Sequence, residues 1–505
     1  MKAMWIYTPA TLRLEAHKYT KLISGVYITD GQTKEYVISL CGDFLKSRTP
    51  ESLLSVAVSS SVSNASIIWE NVEVSSQVNL PGVAAFLKPL RSDFDVVPDA
   101  TQVLTVFTFP ASAIERRKAN AREFACITDC SVFNHRRVRI QSSPFSDVNA
   151  ALFMGYVTEG VVSYVGSEEI NGKQVAHTVL VDSRYLDGME GGIVCTEVAG
   201  RRLGPSLGLV AGRLQKRNGE GSLTLVIPWS EIIPAVHQAG NVVSDVFKSL
   251  QDAAAAGDGP RPFGEVSRNR YSGVVVVQSR IKGGRKVWGS GVIVGPDLVV
   301  TNKHVVKDYL GIEIWLEKYT RRHVMAVSEP LEGVDLVFLR LTKNLPGKYK
   351  PVPLSLTAKP GSQVYSVGYG LFYPQKLGPA LQPLYSQGVI ANEGKAQLLA
   401  GKDEHGSSML VSTAACWNGS SGGALFNEEH QLVGIMASNA RDESTGKIMQ
   451  DMSFVIPSAV IQKALDLFNS AGKDASSAQF QDLWKLKPTH FDTRHRFEKR
   501  IKSKL

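Results

Sequence analysis

Cysteine is scarce in this 505-residue chain: Cys41, Cys126, Cys130, Cys195 and Cys416, an odd five at irregular spacing. Such a count excludes a disulfide framework and fits a reducing compartment. Cys126 and Cys130 form a lone C-x3-C, with no second Cys/His pair at zinc spacing, so no metal site is expected. Long apolar runs are missing too. None could cross a bilayer, and "MKAMWIYTPATLRLE" lacks the apolar centre of a secretory leader, so no membrane partner is expected. Charge of one sign is not concentrated outside the C-terminal stretch. The net +9 is scattered, and no basic face with interleaved aromatics is found, so nucleic acid is not an expected partner.

Glycine is plentiful, and short Val/Ile runs alternate with turn signals. "SGVVVVQSRI" reads as a strand. "GSGVIVGPDLVVTNKHVV" reads as two strands joined at Gly295-Pro296-Asp297. "GIEIWLEKY", "VDLVFLRL", "QVYSVGYG", "YSQGVIAN", "MLVSTAAC" and "QLVGIMASN" follow as further strands. After Pro457, "SAVIQKALDLFNSAG" carries helical spacing and stops at a glycine. The pattern predicts an all-β barrel or sandwich closed by a helix. "SLQDAAAAGDGPRPFGEVSRNR" is Ala/Gly/Pro-rich and reads as a linker.

The chain also repeats itself. "LVIPWSEIIPAV" resembles "FVIPSAVIQKAL", and "SGVYITDGQTKEYVISLCGDF" echoes "SGVIVGPDLVVTNKHVV". Pro228 and Pro457, Gly208 and Gly434, and Glu190 and Ser421 are three ordered pairs at an offset of about 230 residues. Two copies of one fold are expected, residues 1–241 and 271–470, with 242–270 as linker and 471–505 as a basic tail.

"WNGSSGGALF" places Ser421 in a Gly419-Ser420-Ser421-Gly422-Gly423 turn. A nucleophile on such a turn presents its own N–H groups to the substrate carbonyl. Those of Gly419 and Ser421 would form an oxyanion hole. A serine needs a base, and the base needs a carboxylate to hold its tautomer. "VVTNKHVV" puts His304 just after an apolar strand, and "VDLVFLRL" puts Asp335 at the head of another. The order His, Asp, Ser is that of chymotrypsin-type enzymes, not of α/β-hydrolases or subtilisins. Acyl transfer through Ser421 is the expected chemistry, with no cofactor, and activity is expected to rise with pH as the histidine base loses its proton. In the first copy, "LDGMEGGIVC" keeps the glycines but carries Glu190 at the nucleophile position. Gly42 or its neighbours in "SLCGDF" stand at the histidine position, so that copy reads as a silent domain.

On "GSGVIVGPDLVVTNKHVV", "VDLVFLRL" and "NGSSGGALFN", roughly Tyr271 to Asn469 resembles the HtrA/Deg branch of the trypsin-like serine proteases. With the silent first copy, "GIMASNARDESTGK", "MSFVIP" and the terminal Ser503-Lys504-Leu505, the chain resembles the peroxisomal trypsin-domain leader-peptide-processing proteases. The resemblance implies two tandem double β-barrel domains, the first degenerate, each with a C-terminal helix. It implies a peroxisomal endopeptidase that removes targeting leaders from imported matrix proteins, trims some enzymes of fatty-acid β-oxidation, and can cut its own chain, here near Cys126 or Cys130. It places a specificity pocket at Ala415, Ser438 and Asn439. Ala415 stands where trypsin has an aspartate, so cleavage after Lys or Arg is not expected. Ser420 stands where zymogens carry the aspartate that pairs with a new N-terminus, so activation by that route is not expected.

Ser503-Lys504-Leu505 is a peroxisomal address, and its partner would be an import receptor. The runner-up is a peroxisomal chaperone or scaffold built from protease folds without catalysis. Oligomeric state, including a homo-oligomer, stays open.

Overall fold

The computed structural model describes residues 6–239 and 273–470, apart from 17–18, 31, 47, 59–66, 98–102, 111–113, 121–124, 127–133, 171–172, 198–203, 281–283, 307–310, 317–318, 330–333, 375–380, 397–405 and 442–447. Cys130, the whole expected linker 242–270 and the expected basic tail 471–505, with Ser503-Lys504-Leu505, lie outside the described residues.

The second half consists of two closed six-stranded barrels. In ring order the first runs Val274–Arg280, Lys286–Ile293, Leu298–Thr301, Val337–Leu341, Thr320–Ser328 and Gly311–Leu316. The second runs Gln363–Gly368, Leu384–Ala396, Gly406–Ser412, Ile448–Pro457, Leu432–Arg441 and Ala424–Phe426. β-Branched residues drive this choice. Six of the seven residues of VVVVQSR in Val274–Arg280 are buried, as a barrel wall between a filled interior and a covered outer face requires. The Gly295-Pro296-Asp297 turn closes with the Val294 N–H on the Leu298 carbonyl at 3.0 Å.

The first half repeats this plan with modifications, among them a short strand, Ala125–Cys126, paired with Ile6–Ala16. One ring runs Arg137–Ser142, Tyr156–Ile170, Lys173–Asp182, Ser222–Pro228, Ser206–Lys216 and Ile193–Thr196, the strand order of the last barrel. It closes because Ile193–Thr196 pairs with both Arg137–Ser142 and Ser206–Lys216. Another modification is an extra strand, Phe94–Val97, added outside Ser206–Lys216. The other ring runs Leu53–Val58, Ile6–Ala16, Tyr19–Thr29, Glu35–Ser39, Val103–Thr108 and Glu73–Asn79. A further modification lies here: the closing strand breaks at Val72. Glu70–Asn71 pairs with Leu53–Val58, while Glu73–Asn79 pairs with Val103–Thr108. The Val72 N–H keeps the join by donating to the Leu54 carbonyl at 3.0 Å.

The repeat landmarks occupy matching register positions. Gly208 faces Pro228 across one strand pair, and Gly434 faces Pro457 across the other. A Cβ on Gly208 would sit 2.1 Å from the Ile227 carbonyl oxygen, and one on Gly434 2.3 Å from that of Ile456. Only glycine allows these approaches. Each proline then leads into a helix, Trp229–Gln238 or Ser458–Ser470. The halves share a core: Leu371, Phe372, Leu384, Ala415 and Trp417 of the second half join the main cluster of the first.

Candidate active site

His304 lies in the single-turn helix Lys303–Val306, directly after the buried strand Leu298–Thr301. That strand pairs with Val337–Leu341, Thr301 facing Val337, which brings Asp335 beside His304. The Asn302 side-chain amide donates to the Asp335 carbonyl at 2.9 Å and fixes the join. One Asp335 oxygen accepts the His304 backbone N–H at 2.9 Å, and the other faces Nδ1 at 2.6 Å. The carboxylate therefore holds the proton on Nδ1 and leaves Nε2 as the acceptor. With the His304 side chain 50% exposed, the ring stays open to the cleft.

Ser421 reaches the same cleft from the turn before Ala424–Phe426, and its hydroxyl donates to the Ala437 carbonyl at 3.3 Å. The turn is tied internally: the Ser420 N–H to Trp417, the Gly422 N–H to Met436 and the Gly423 N–H to Ser420, each at 2.8 Å. Gly419 and Gly422 adopt φ of +96° and +81°. The first barrel clamps it through Ser290, whose N–H donates to the Ser421 carbonyl at 2.8 Å and whose hydroxyl donates to the Gly419 carbonyl at 2.9 Å. Among the described residues, no backbone carbonyl accepts the N–H of Gly419 or Ser421.

The first half keeps the three backbone bonds of this turn, although the clamp shifts: the Ser24 N–H donates to the Gly188 carbonyl at 3.2 Å, where the Ser290 N–H donates to that of Ser421. Met189 N–H donates to Leu186 at 3.2 Å, Gly191 N–H to Val210 at 2.8 Å and Gly192 N–H to Met189 at 2.9 Å. Gly188 and Gly191 adopt φ of +88° and +79°. Ser24 matches Ser290, donating from its hydroxyl to the Gly188 carbonyl at 2.7 Å. Ser39 donates to the Ser24 carbonyl as Thr301 does to that of Ser290, so Gly42 stands where His304 stands. Gly188 and Glu190 correspond to Gly419 and Ser421. Burial pushes the Glu190 carboxyl above its usual range, while the backbone of Glu190, the Tyr185 hydroxyl and the backbone of Gly188 pull against that shift, and its Oε2 has no hydrogen-bond partner among the described residues.

His304, Asp335 and Ser421 open on one cavity of about 830 Å³. Ser438 and Asn439 line it, while the other expected pocket residue, Ala415, is not part of its lining. Ala415 is buried in the shared core, its N–H on the Ser386 hydroxyl at 2.8 Å, and Cys416 reaches the cavity instead. Burial pushes the Cys416 thiol up to about 12, with the Glu220 charge adding to the shift, so it is no nucleophile. Sequence reasoning missed one wall altogether. Gln215, Asn218, Gly219 and Glu220, from a hairpin of the first half, line the cavity beside His304 and Ser421. Among the described residues, no His/Cys/Asp/Glu group is arranged to hold a metal ion, and no helix is long and apolar enough to cross a membrane. Cys41, Cys195 and Cys416 are buried and form no disulfide among the described residues.

Residues 289–435 match the trypsin-like peptidase domain family. The chain is 28% identical over 359 residues to the peroxisomal leader peptide-processing protease of Mus musculus, and 29% identical over 364 residues to that of Homo sapiens. Each match covers 68% of this chain and 58% of the relative's own length. The serine endoprotease DegS of Escherichia coli is 30% identical over 186 residues, 36% of this chain and 48% of that protein. Among solved structures, a serine endoprotease from Yersinia pestis is 25% identical over 40% of this chain and 64% of its own, with a TM-score of 0.31. The second half thus carries a trypsin-like peptidase domain, and the chain as a whole is similar to the peroxisomal leader peptide-processing proteases.

Proposed function

We propose that the chain is a serine endopeptidase of the peroxisomal matrix that removes targeting leaders from imported proteins and trims some enzymes of fatty-acid oxidation. The observation that carries the chemistry is the Asp335–His304 pair opening on one cavity with Ser421. The compartment and substrate class rest on the names of the similar proteins. Nε2 of His304 takes the Ser421 hydroxyl proton as the oxygen attacks the peptide carbonyl, and Asp335 stabilises the imidazolium. The N–H groups of Gly419 and Ser421 hold the oxyanion. The proton passes to the leaving amine, and water resolves the acyl-enzyme with His304 again as base.

The cavity wall of Cys416, Ser438 and Asn439 is uncharged, and Glu220 is already paired with Lys216 at 2.9 Å. A small or thiol side chain should therefore be preferred to Arg before the cut.

A fluorophosphonate probe tests the nucleophile. Wild type should label and Ser421→Ala should not, with peptidase activity falling at least about 10⁴-fold. Absence of labelling would leave the scaffold reading in its place. Preferential Arg cleavage in a peptide panel would overturn the specificity assignment. Intact masses of wild type and Ser421→Ala that differ only by the one oxygen atom of the substitution would exclude self-cleavage. Deleting Ser503-Lys504-Leu505 should keep the protein out of peroxisomes by abolishing recognition by the import receptor; unchanged location would remove that partner.

A further inference from the structure

The hairpin turn between Ser206–Lys216 and Ser222–Pro228 belongs to the first half, yet it reaches the reaction centre of the second. Its Glu220 is 3% exposed, an expensive place for a carboxylate without partners. It has two. Lys216 Nζ stands 2.9 Å away within the hairpin, and the Asn418 backbone N–H donates to Oε1 at 2.5 Å across the boundary between halves.

Asn418 immediately precedes Gly419. Its carbonyl accepts the Leu371 N–H at 2.8 Å. In a trans peptide the C=O and the next N–H point opposite ways, so holding the Asn418 carbonyl aims the Gly419 N–H. Both holds on Asn418 depend on the first half. Leu371 has φ +65° at the centre of a three-residue turn, with the Phe372 N–H on the Gly370 carbonyl at 2.6 Å. A leucine adopts this conformation only where its surroundings impose it. The surroundings here are the shared core: Leu371 packs so closely on Gly221 that a Cβ there would lie 2.3 Å from its Cδ1, and Phe372 stacks on Phe94 with centroids 4.8 Å apart.

We infer that Glu220 is a positioning residue contributed by the silent half: by accepting the Asn418 N–H it fixes the Trp417–Asn418 peptide and, together with the Leu371 N–H on the Asn418 carbonyl, keeps the Asn418–Gly419 peptide turned so that the Gly419 N–H stays available to the oxyanion. This rests on the reading of Ser421 as nucleophile. The first half then acts as a fixed activator of the second, in the position a separate regulatory domain would take.

The test uses the full chain with Glu220→Met, which keeps the volume and removes the acceptor, Glu220→Gln, which keeps an acceptor oxygen, and Glu220→Asp, which keeps charge but withdraws it. Kinetics on a leader-type peptide are measured beside hydrogen exchange of residues 417–421. Glu220→Met and Glu220→Asp should lower kcat at least ~10-fold with KM within about twofold, because an oxyanion donor acts in the transition state. Exchange at 417–421 should quicken while that of 432–436 stays as in wild type. Glu220→Gln should recover most of both. Wild-type kcat and exchange in Glu220→Asp would overturn the inference, and so would a Glu220→Gln as impaired as Glu220→Met. If Glu220→Met does not fold, the Asp and Gln pair decides alone. If wild type neither labels with fluorophosphonate nor cleaves, the protease reading falls, and the exchange comparison still decides whether Glu220 holds the loop.

Discussion

Gly419 does two things that no other residue type could do at its position. It adopts φ +96°, and it leaves room for Trp288, whose Nε1 would lie 2.5 Å from an added Cβ. Gly419→Ala should therefore displace the oxyanion N–H and lower kcat by about 10²-fold or more while the protein stays folded, as a thermal melt beside the kinetics would show. Asp335→Asn should cost about 10⁴-fold in kcat, because an amide facing Nδ1 no longer holds the proton there. Retained activity would mean that His304 takes its tautomer from elsewhere. These residues were legible in the sequence because each sits beside a strand or turn that advertises itself: His304 after LVVT, Asp335 before VFLRL, Ser421 among glycines. Glu220 was not. "RNGEG" reads as an ordinary hairpin turn, and nothing local says that it lies against Asn418, 198 positions along the chain. Ala415 was chosen by analogy, and packing puts Cys416 in the cavity instead.

At the scale of elements, the pairs Gly208–Pro228 and Gly434–Pro457 make the two halves interchangeable as backbone. Gly208→Ala and Gly434→Ala should each destabilise by roughly 1–3 kcal/mol, since the obstruction is backbone carbonyl rather than a movable side chain. A shift in denaturation midpoint for only one of them would break the symmetry. Thr320–Ser328 was one of the strands the sequence concealed, with Ala424–Phe426: TRRHVMAVS is mostly exposed and carries no clean alternation, and it is strand because its neighbours on both sides leave it unpaired edges to fill. The break at Val72 was equally illegible, being a matter of which residue slips between two ladders.

Burial pushes the carboxyl of Asp182, at the end of Lys173–Asp182, up to about 6, the Asp451 charge adding to the shift and Ser386 and the Gln387 backbone of the other half opposing it. Unfolded, it would titrate near the ordinary aspartate value of 3.8. Between those values the folded chain keeps the proton that the unfolded chain has lost, so this group's contribution to stability falls as pH rises through the window. Asp182→Asn should therefore gain in Tm relative to wild type more at pH 7 than at pH 4.5. An equal difference at both would show that the carboxyl is not held up.

For the whole molecule, the shared core predicts one unfolding event. Leu371, Phe372, Ala415 and Trp417 are buried among residues of the first half, so the second half cannot open that face to water cheaply. A single calorimetric transition is expected. Phe94→Ala, which removes the ring stacked on Phe372, should destabilise by about 3–5 kcal/mol and lower that one transition rather than one of two. Two separate transitions would show that the halves are independent. The duplication itself was legible because its landmarks are glycines and prolines, whose backbone roles survive the loss of chemistry. How the copies dock was not, because the docking surface is made of ordinary core residues such as Leu384 and Trp229.

The turn that would hold the oxyanion leaves the N–H groups of Gly419 and Ser421 without a backbone carbonyl among the described residues. With Ser421 as nucleophile, peptide hydrolysis leaves a new carboxylate beside the same two donors. Product inhibition thus follows from the turn itself, because donors aimed at an oxyanion also suit a carboxylate oxygen. Short peptides ending in a free carboxylate should compete with substrate, and their amides should not.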